Sequence, residues 1–199
     1  MNRRDAIEVF ARYRGDAPVI VGPGVSGRLL YEIDHRPATI YNMELGYPAP
    51  MCLGLAFALP GERVYALDGD GSLLMSLGVL TTIARYRPPN LTVLVLDNRV
   101  YLSTGALPSA TASGADLAAI GRGAGLEHAE TVADEAALER ALARTTQESG
   151  PFLIVAQIEA QDRISPGGYR AMPFDIVESS IRFRRDLVDR GLVQPLWAI

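Results

Sequence analysis

Val64-Tyr65-Ala66-Leu67-Asp68-Gly69-Asp70-Gly71-Ser72 and, further on, Leu94-Val95-Leu96-Asp97-Asn98 decide how this chain folds. Each begins as a short apolar run of strand composition and ends in small polar residues at a turn. Strands whose carboxyl ends deliver oxygen ligands into turns are how open α/β sheets build their sites. Here Asp70 brings a carboxylate and Asn98 an amide oxygen. A hard cation such as Mg²⁺ takes oxygen ligands in octahedral array, commonly only one or two of them protein carboxylates, and leaves positions for phosphate. The pair therefore predicts a magnesium diphosphate site. Gly69 and Gly71 flank Asp70 and let the backbone turn sharply and approach a ligand. From Ser72 to about Tyr86, Leu73, Leu74, Leu77, Leu80, Ile83 and Ala84 recur at helical spacing. One long helix is expected there, with Ser72 as its N-cap and its first amides facing the diphosphate.

Upstream, Ala17-Pro18-Val19-Ile20-Val21 reads as a strand running into Gly22-Pro23-Gly24-Val25-Ser26-Gly27, with a short helix over Arg28 to Ile33. Such a loop is either a phosphate cradle or a plain tight connection. Met43-Glu44-Leu45-Gly46-Tyr47-Pro48-Ala49 precedes Leu53 to Leu59, whose small apolar residues describe a buried helix ending at Pro60. Taken alone, Leu45 is a core leucine. Helices are further expected over Arg4 to Arg12, Pro50 to Ala58, from Asp116, and over Glu135 to Gln147, with strands near Val19, Ile40 and Pro151 to Ile158. Alternating strands and helices imply an α/β fold: a doubly wound, mostly parallel sheet with helices on both faces. Residues 1–199 are expected to form one domain without repeat or linker. Its C-terminal helical extension, about 170–199, carries Arg182, Arg184, Arg185 and Asp186 on a solvated or intersubunit face.

The 199 residues are 48% hydrophobic and 21% charged, with a formal net charge of −4. That length is ample for a full core. A mildly acidic chain without a basic block argues against nucleic acid as a partner. The apolar runs are shorter than the roughly 18 residues a membrane span requires, and Met1-Asn2-Arg3-Arg4-Asp5 lacks a secretory signal, so a cytoplasmic location is expected. Cys52 is the only cysteine, which excludes an internal disulfide and a cysteine metal cluster, and Met51 and Leu53 beside it suggest burial. The two histidines, His35 and His128, read as surface or packing residues rather than bases.

Gly69-Asp70-Gly71 followed at this distance by Asp97-Asn98 resembles the cofactor motif of thiamine diphosphate-dependent enzymes, which usually closes on two asparagines where this chain has Asp97 first. The resemblance implies Asp70 and Asn98 as side-chain Mg²⁺ ligands and the backbone carbonyl of Val100 as a third. Gly71, Ser72 and Tyr101 would contact the diphosphate, chiefly through the backbone, and Ser26 would add a contact from the glycine-rich loop. Leu45 would prop the thiamine diphosphate between its two rings in a bent conformation, and the carbonyl of Met43 would hold its amino group. Asp97 receives no ligand role, because a strand-terminal aspartate most often caps a turn.

The finer resemblance is to the small decarboxylases of 3-sulfopyruvate and 3-phosphonopyruvate, including those whose two thiamine domains lie on separate chains. It rests on Leu53-Gly54-Leu55-Ala56, Gly71 to Met75, Leu96-Asp97-Asn98, Ser103-Thr104-Gly105 and Asp116 to Ile120, and extends roughly from Val19 to Ile158. It implies loss of CO₂ from a small anionic 2-oxo acid and release of an aldehyde, with the cofactor as electron sink. Ala106 and Leu107 depart from the glycine and glutamine usual after Gly105 in those enzymes. The family's activating glutamate comes from a second, pyrimidine-binding domain. A separate subunit is therefore expected to supply it in a hetero-oligomer, since Glu44 lies on the wrong half of the cofactor. Arg99 is a candidate cation for the substrate's anionic group. Two other readings share the same cofactor site: a carboligase or lyase subunit, and a noncatalytic cofactor-binding scaffold.

Overall fold

A computed structural model describes residues 1–160 and 171–195. Its strands are β1 (Val19–Val21), β2 (Thr39–Ile40), β3 (Val64–Gly69), β4 (Leu91–Asp97), β5 (Val100–Tyr101), β6 (Leu107–Pro108), β7 (His128–Val132) and β8 (Phe152–Gln157). The helices are α1 (Arg3–Arg14), α2 (Val25–Asp34), α3 (Pro48–Ala58), α4 (Asp70–Leu74), α5 (Gly78–Tyr86), α6 (Leu117–Gly123), α7 (Glu135–Gln147) and α8 (Ile176–Asp189). Six strands form a sheet in the order β2-β1-β3-β4-β8-β7, parallel throughout, and β5 and β6 pair as a short antiparallel ribbon.

Successive side chains along the strands feed two separate cores. Val64 and Ala66 of β3 pack with α3, α5, α6 and α8, whereas Tyr65 and Leu67 pack with α1, α2 and α7. Every residue of β4 is buried, as a strand covered on both faces requires. Helix starts are capped by side chains: Asn2, Asp116, Asp134 and Asp175 each accept a backbone N–H at α1, α6, α7 and α8. Each cap is worth about 1 kcal/mol. At the other end of α3, Asn90 Nδ2 lies within hydrogen-bonding distance of the carbonyls of Ala56, Leu59 and Glu62 and ties that turn to the start of β4.

Two expectations are corrected. Ser72 is not an N-cap: β3 runs straight into α4, Gly69 holds the cap position with extended backbone, and Ser72 is already inside the helix. Its hydroxyl is engaged instead by Gly46 N–H at 2.9 Å, across 26 residues. The long helix to Tyr86 is also two helices, interrupted at Met75 to Leu77 by tight turns in which Ser76 N–H reaches Leu73 O and Leu80 N–H reaches Leu77 O. The 3.6-residue repeat passes through the break because both pieces bury the same side.

The C-terminal helix is more than a solvated face. Ser179 bonds Tyr41 N–H and Thr39 O beside β2, and Phe183 and Leu187 enter the core. Burying each of these apolar side chains is worth about 1.5–3 kcal/mol. Positions 170 and 196–199 of the expected extension lie outside the described residues.

The strand order places the site. The chain leaves β1 for β2 on one side and later returns to β3 on the other, so the connections diverge at the carboxyl ends of β1 and β3 and open a crevice. Gly69 pairs with Leu96 in the β3–β4 register, so Asp70 and Asp97 leave the sheet side by side.

Candidate functional site

The crevice is a cleft of about 290 Å³ whose walls come from the loop after β1, residues 44–45, the end of β3 with α4, and the segment after β4. Ser26, Leu45, Asp70, Gly71, Ser72, Asn98, Val100 and Tyr101 all line it. Met43 does not: it is buried in the core behind the cleft, its N–H bonded to Val21 O at 2.8 Å. Arg99 is also outside the walls, exposed in a left-handed turn at φ 64°. Glu44 stands on the wall at the exposed rim. His35 joins an aromatic cluster with Tyr31, Tyr41 and Phe174, where burial and then the nearby Arg182 and Arg14 lower its pKa. His128 stacks on Phe152.

Asp70 Oδ1, Val100 O and the side-chain amide of Asn98 converge in the cleft. With the Asn98 amide oxygen turned inward, it lies 3.1 Å from Asp70 Oδ1 and 3.0 Å from Val100 O, while its nitrogen lies 3.0 Å from the Arg3 guanidinium. Turning the amide over would convert these contacts into hydrogen bonds. The inward orientation is the favourable one when a cation sits among the oxygens. In an octahedron with metal–oxygen distances of about 2.1 Å, neighbouring ligands stand about 3.0 Å apart. A carboxylate, an amide oxygen and a carbonyl at this spacing are a donor set suited to a small hard divalent cation. Among the described residues, no group of three His, Cys, Asp or Glu side chains could hold a metal.

Asp97 forms the turn that presents the other two oxygens. Its Oδ1 accepts from Arg99 N–H at 3.1 Å, holding Arg99 in its left-handed conformation between Asn98 and Val100. Burial raises the Asp97 pKa; a hydrogen bond from Thr111 opposes that, and the neighbouring Asp70 adds to it. Asp68, deep under the loop after β1, is pushed up to about 6 by burial, against the pull of the Ser72 hydroxyl and Gly69 N–H. Gly22 leaves it room, since a β-carbon there would stand 2.7 Å from Asp68 Oδ1. At Gly71 it is the ring of Tyr101 that takes the space, 2.2 Å from where a β-carbon would be. Tyr101 thus meets the motif through its side chain.

Sequence reasoning missed Arg3. The first residue of α1 is only 6% exposed, lines the cleft, and donates from Nη1 to Ser26 Oγ at 2.8 Å. It also missed Ser109 and Thr111, whose hydroxyls reach Asp70 Oδ2 from a loop with no motif of its own. The pairing of Val100 with Pro108 brings that loop over the site.

A parallel sheet with this switch point and this oxygen cluster defines a cofactor-binding α/β class, and comparison with known proteins identifies it. The chain belongs to the thiamine pyrophosphate enzyme family: the family model of the C-terminal TPP-binding domain matches residues 30–156. It is 38% identical over 144 residues to the sulfopyruvate decarboxylase subunit beta of Methanothermobacter thermautotrophicus, covering 72% of this chain and 76% of that subunit. It is 37% identical over 179 residues to the phosphonopyruvate decarboxylase of Streptomyces viridochromogenes, covering 88% of this chain and 43% of that enzyme. The chain thus spans less than half the length of the Streptomyces relative. The solved structure of benzoylformate decarboxylase from Polynucleobacter necessarius shares the fold, with a TM-score of 0.70 at 20% identity over 80% of this chain and 33% of that one. No helix among the described residues is long and apolar enough to cross a membrane.

Proposed function

We propose that this chain is the diphosphate- and metal-binding subunit of a two-chain thiamine diphosphate-dependent decarboxylase acting on a small anionic 2-oxo acid such as 3-sulfopyruvate or 3-phosphonopyruvate. The observation that carries the reading is the convergence of Asp70 Oδ1, Val100 O and the Asn98 amide, which stands 3.1 and 3.0 Å from the other two, at the switch point of the sheet. The relatives named as decarboxylases, one of them a beta subunit, support the activity and the division into two chains.

On this reading Asp70, Asn98 and Val100 O hold Mg²⁺, which in turn anchors the diphosphate. Ser26, Gly71 and Ser72 line its seat, and the Arg3 guanidinium offsets its negative charge. When bound, thiamine diphosphate supplies the electron sink that lets CO₂ leave a 2-oxo acid. Leu45 stands at the rim as the apolar prop, and Leu67 and Leu96 add apolar surface to the cleft wall. Leu45, Tyr47 and Met75 are exposed around that rim, with Gly46 and Met75 in close approach. Such an apolar rim suits the partner subunit that would bring the activating glutamate and close the site to water.

The test is reconstitution with a pyrimidine-binding partner chain, thiamine diphosphate and Mg²⁺, followed by CO₂ and aldehyde analysis with 3-sulfopyruvate, 3-phosphonopyruvate and pyruvate. Release of CO₂ and a single aldehyde from an anionic substrate is the expected result. A complex that binds cofactor and releases no CO₂ from any 2-oxo acid would refute it.

A further inference from the structure

Asp70 has two oxygens, and the structure uses both. Oδ1 faces the Asn98 amide, while Oδ2 accepts from Ser109 Oγ and lies 3.2 Å from Thr111 Oγ1. Thr111 Oγ1 also lies 2.8 Å from Asp97 Oδ1, and the two hydroxyls are 2.9 Å apart. Ser109 and Thr111 are 3% and 8% exposed, so these bonds form out of contact with bulk water. Two hydroxyl protons thus serve two carboxylates, and this buried pair ties Asp70 to the Asp97 turn. The same loop is tied to the third oxygen: Ser109 N–H donates to Arg99 O at 2.9 Å, and Val100 pairs with Pro108. One short segment therefore grips Asp70, the Asp97 turn and the strand carrying the Val100 carbonyl.

We infer that Ser109 and Thr111 are positioning residues that set the metal selectivity of this site, holding its oxygens at the spacing of Mg²⁺ and against that of Ca²⁺. The inference rests on the cofactor-site reading above. With its oxygen turned inward, the Asn98 amide would stand 3.0 and 3.1 Å from Val100 O and Asp70 Oδ1, the edge of a Mg²⁺ octahedron being about 3.0 Å. Ca²⁺, with oxygen distances of 2.3–2.6 Å, needs edges of about 3.3 Å or more and tolerates irregular, flexible ligands. A clamp that stops Asp70 from moving outward penalises the larger ion. Loosening the clamp costs Mg²⁺ its preformed cage and costs Ca²⁺ little.

The experiment is calorimetric titration of the full chain, in the presence of thiamine diphosphate, with Mg²⁺ or Ca²⁺. Wild type is compared with Ser109→Ala and Thr111→Val, which delete a hydroxyl, and with Ser109→Thr and Thr111→Ser, which keep one. Deletion is expected to weaken Mg²⁺ by about 10–100-fold, the usual cost of losing a residue that orients a metal ligand. Ca²⁺ should weaken by a smaller factor, lowering the Mg²⁺/Ca²⁺ preference, while the hydroxyl-keeping variants stay near wild type. Thermal unfolding in EDTA checks that each variant folds, and either deletion alone decides the matter. Equal losses for both ions, or no loss, overturn the inference and leave the cofactor reading standing. Absence of metal uptake by the wild type with cofactor present overturns both.

Discussion

Replacing Asp68 by asparagine should change how the stability of the metal-free protein depends on pH. Asp68 is 1% exposed; its Oδ1 accepts from Gly69 N–H at 2.9 Å, and its Oδ2 has no hydrogen-bond partner. Burial favours the neutral acid and raises the pKa from 3.8 to about 6. An acid whose folded pKa lies above its unfolded value contributes stability that is complete below the unfolded pKa. That contribution is lost as pH rises through about 6. Moving from 3.8 to about 6, at 1.36 kcal/mol for each tenfold change in proton affinity, amounts to about 3 kcal/mol. Asparagine is neutral throughout, so Asp68→Asn should gain on wild type by about 2.5 kcal/mol between pH 4 and pH 7.5. Urea unfolding in EDTA at a series of pH values measures the difference, with all other titrating groups common to both proteins. Parallel pH profiles would refute the reasoning.

Arg3→Met should weaken thiamine diphosphate binding by tenfold or more, because a buried charge-assisted bond is worth about 1.5–3 kcal/mol, and should leave thiamine without phosphates unaffected. Calorimetry with both ligands decides it; equal losses would assign Arg3 a purely structural role. Gly121→Ala should cost about 1–3 kcal/mol by overpacking. The new β-carbon would stand 2.6 Å from Leu153 Cδ2 and 3.3 Å from Ala129 Cβ. An unchanged urea midpoint would contradict the close seating of α6 on β7 and β8.

Much of the fold was legible because short apolar runs and the 3.6-residue repeat report burial directly. The helix expected over Glu135 to Gln147 has those same limits, and the motif strands end where the polar residues begin. The break at Met75 to Leu77 was illegible for a related reason: the apolar repeat continues across it, so periodicity reports the buried side without reporting backbone continuity. Ser72 was misread because a hydroxyl beside a helix start has a local use and a distant one, and the distant partner, Gly46 N–H, prevailed. The ribbon of β5 and β6 is too short for any repeat, with two residues in each strand.

What the amino-acid order determined by itself is local: that Asp70 and Asn98 each follow an apolar strand, with glycine where the turn is tight. Whether those ends are neighbours depends on register, and only the pairing of Gly69 with Leu96 brings them together. The groups that hold them were likewise a matter of tertiary structure. Arg3 reaches Ser26 across 23 residues and Ser109 reaches Asp70 across 39, and an isolated arginine or serine carries no periodic or spacing signal. Short-range patterns record which side chains are hidden from water, whereas a shared cation site is a contact among separate segments, and contacts exist only once the chain has closed on itself.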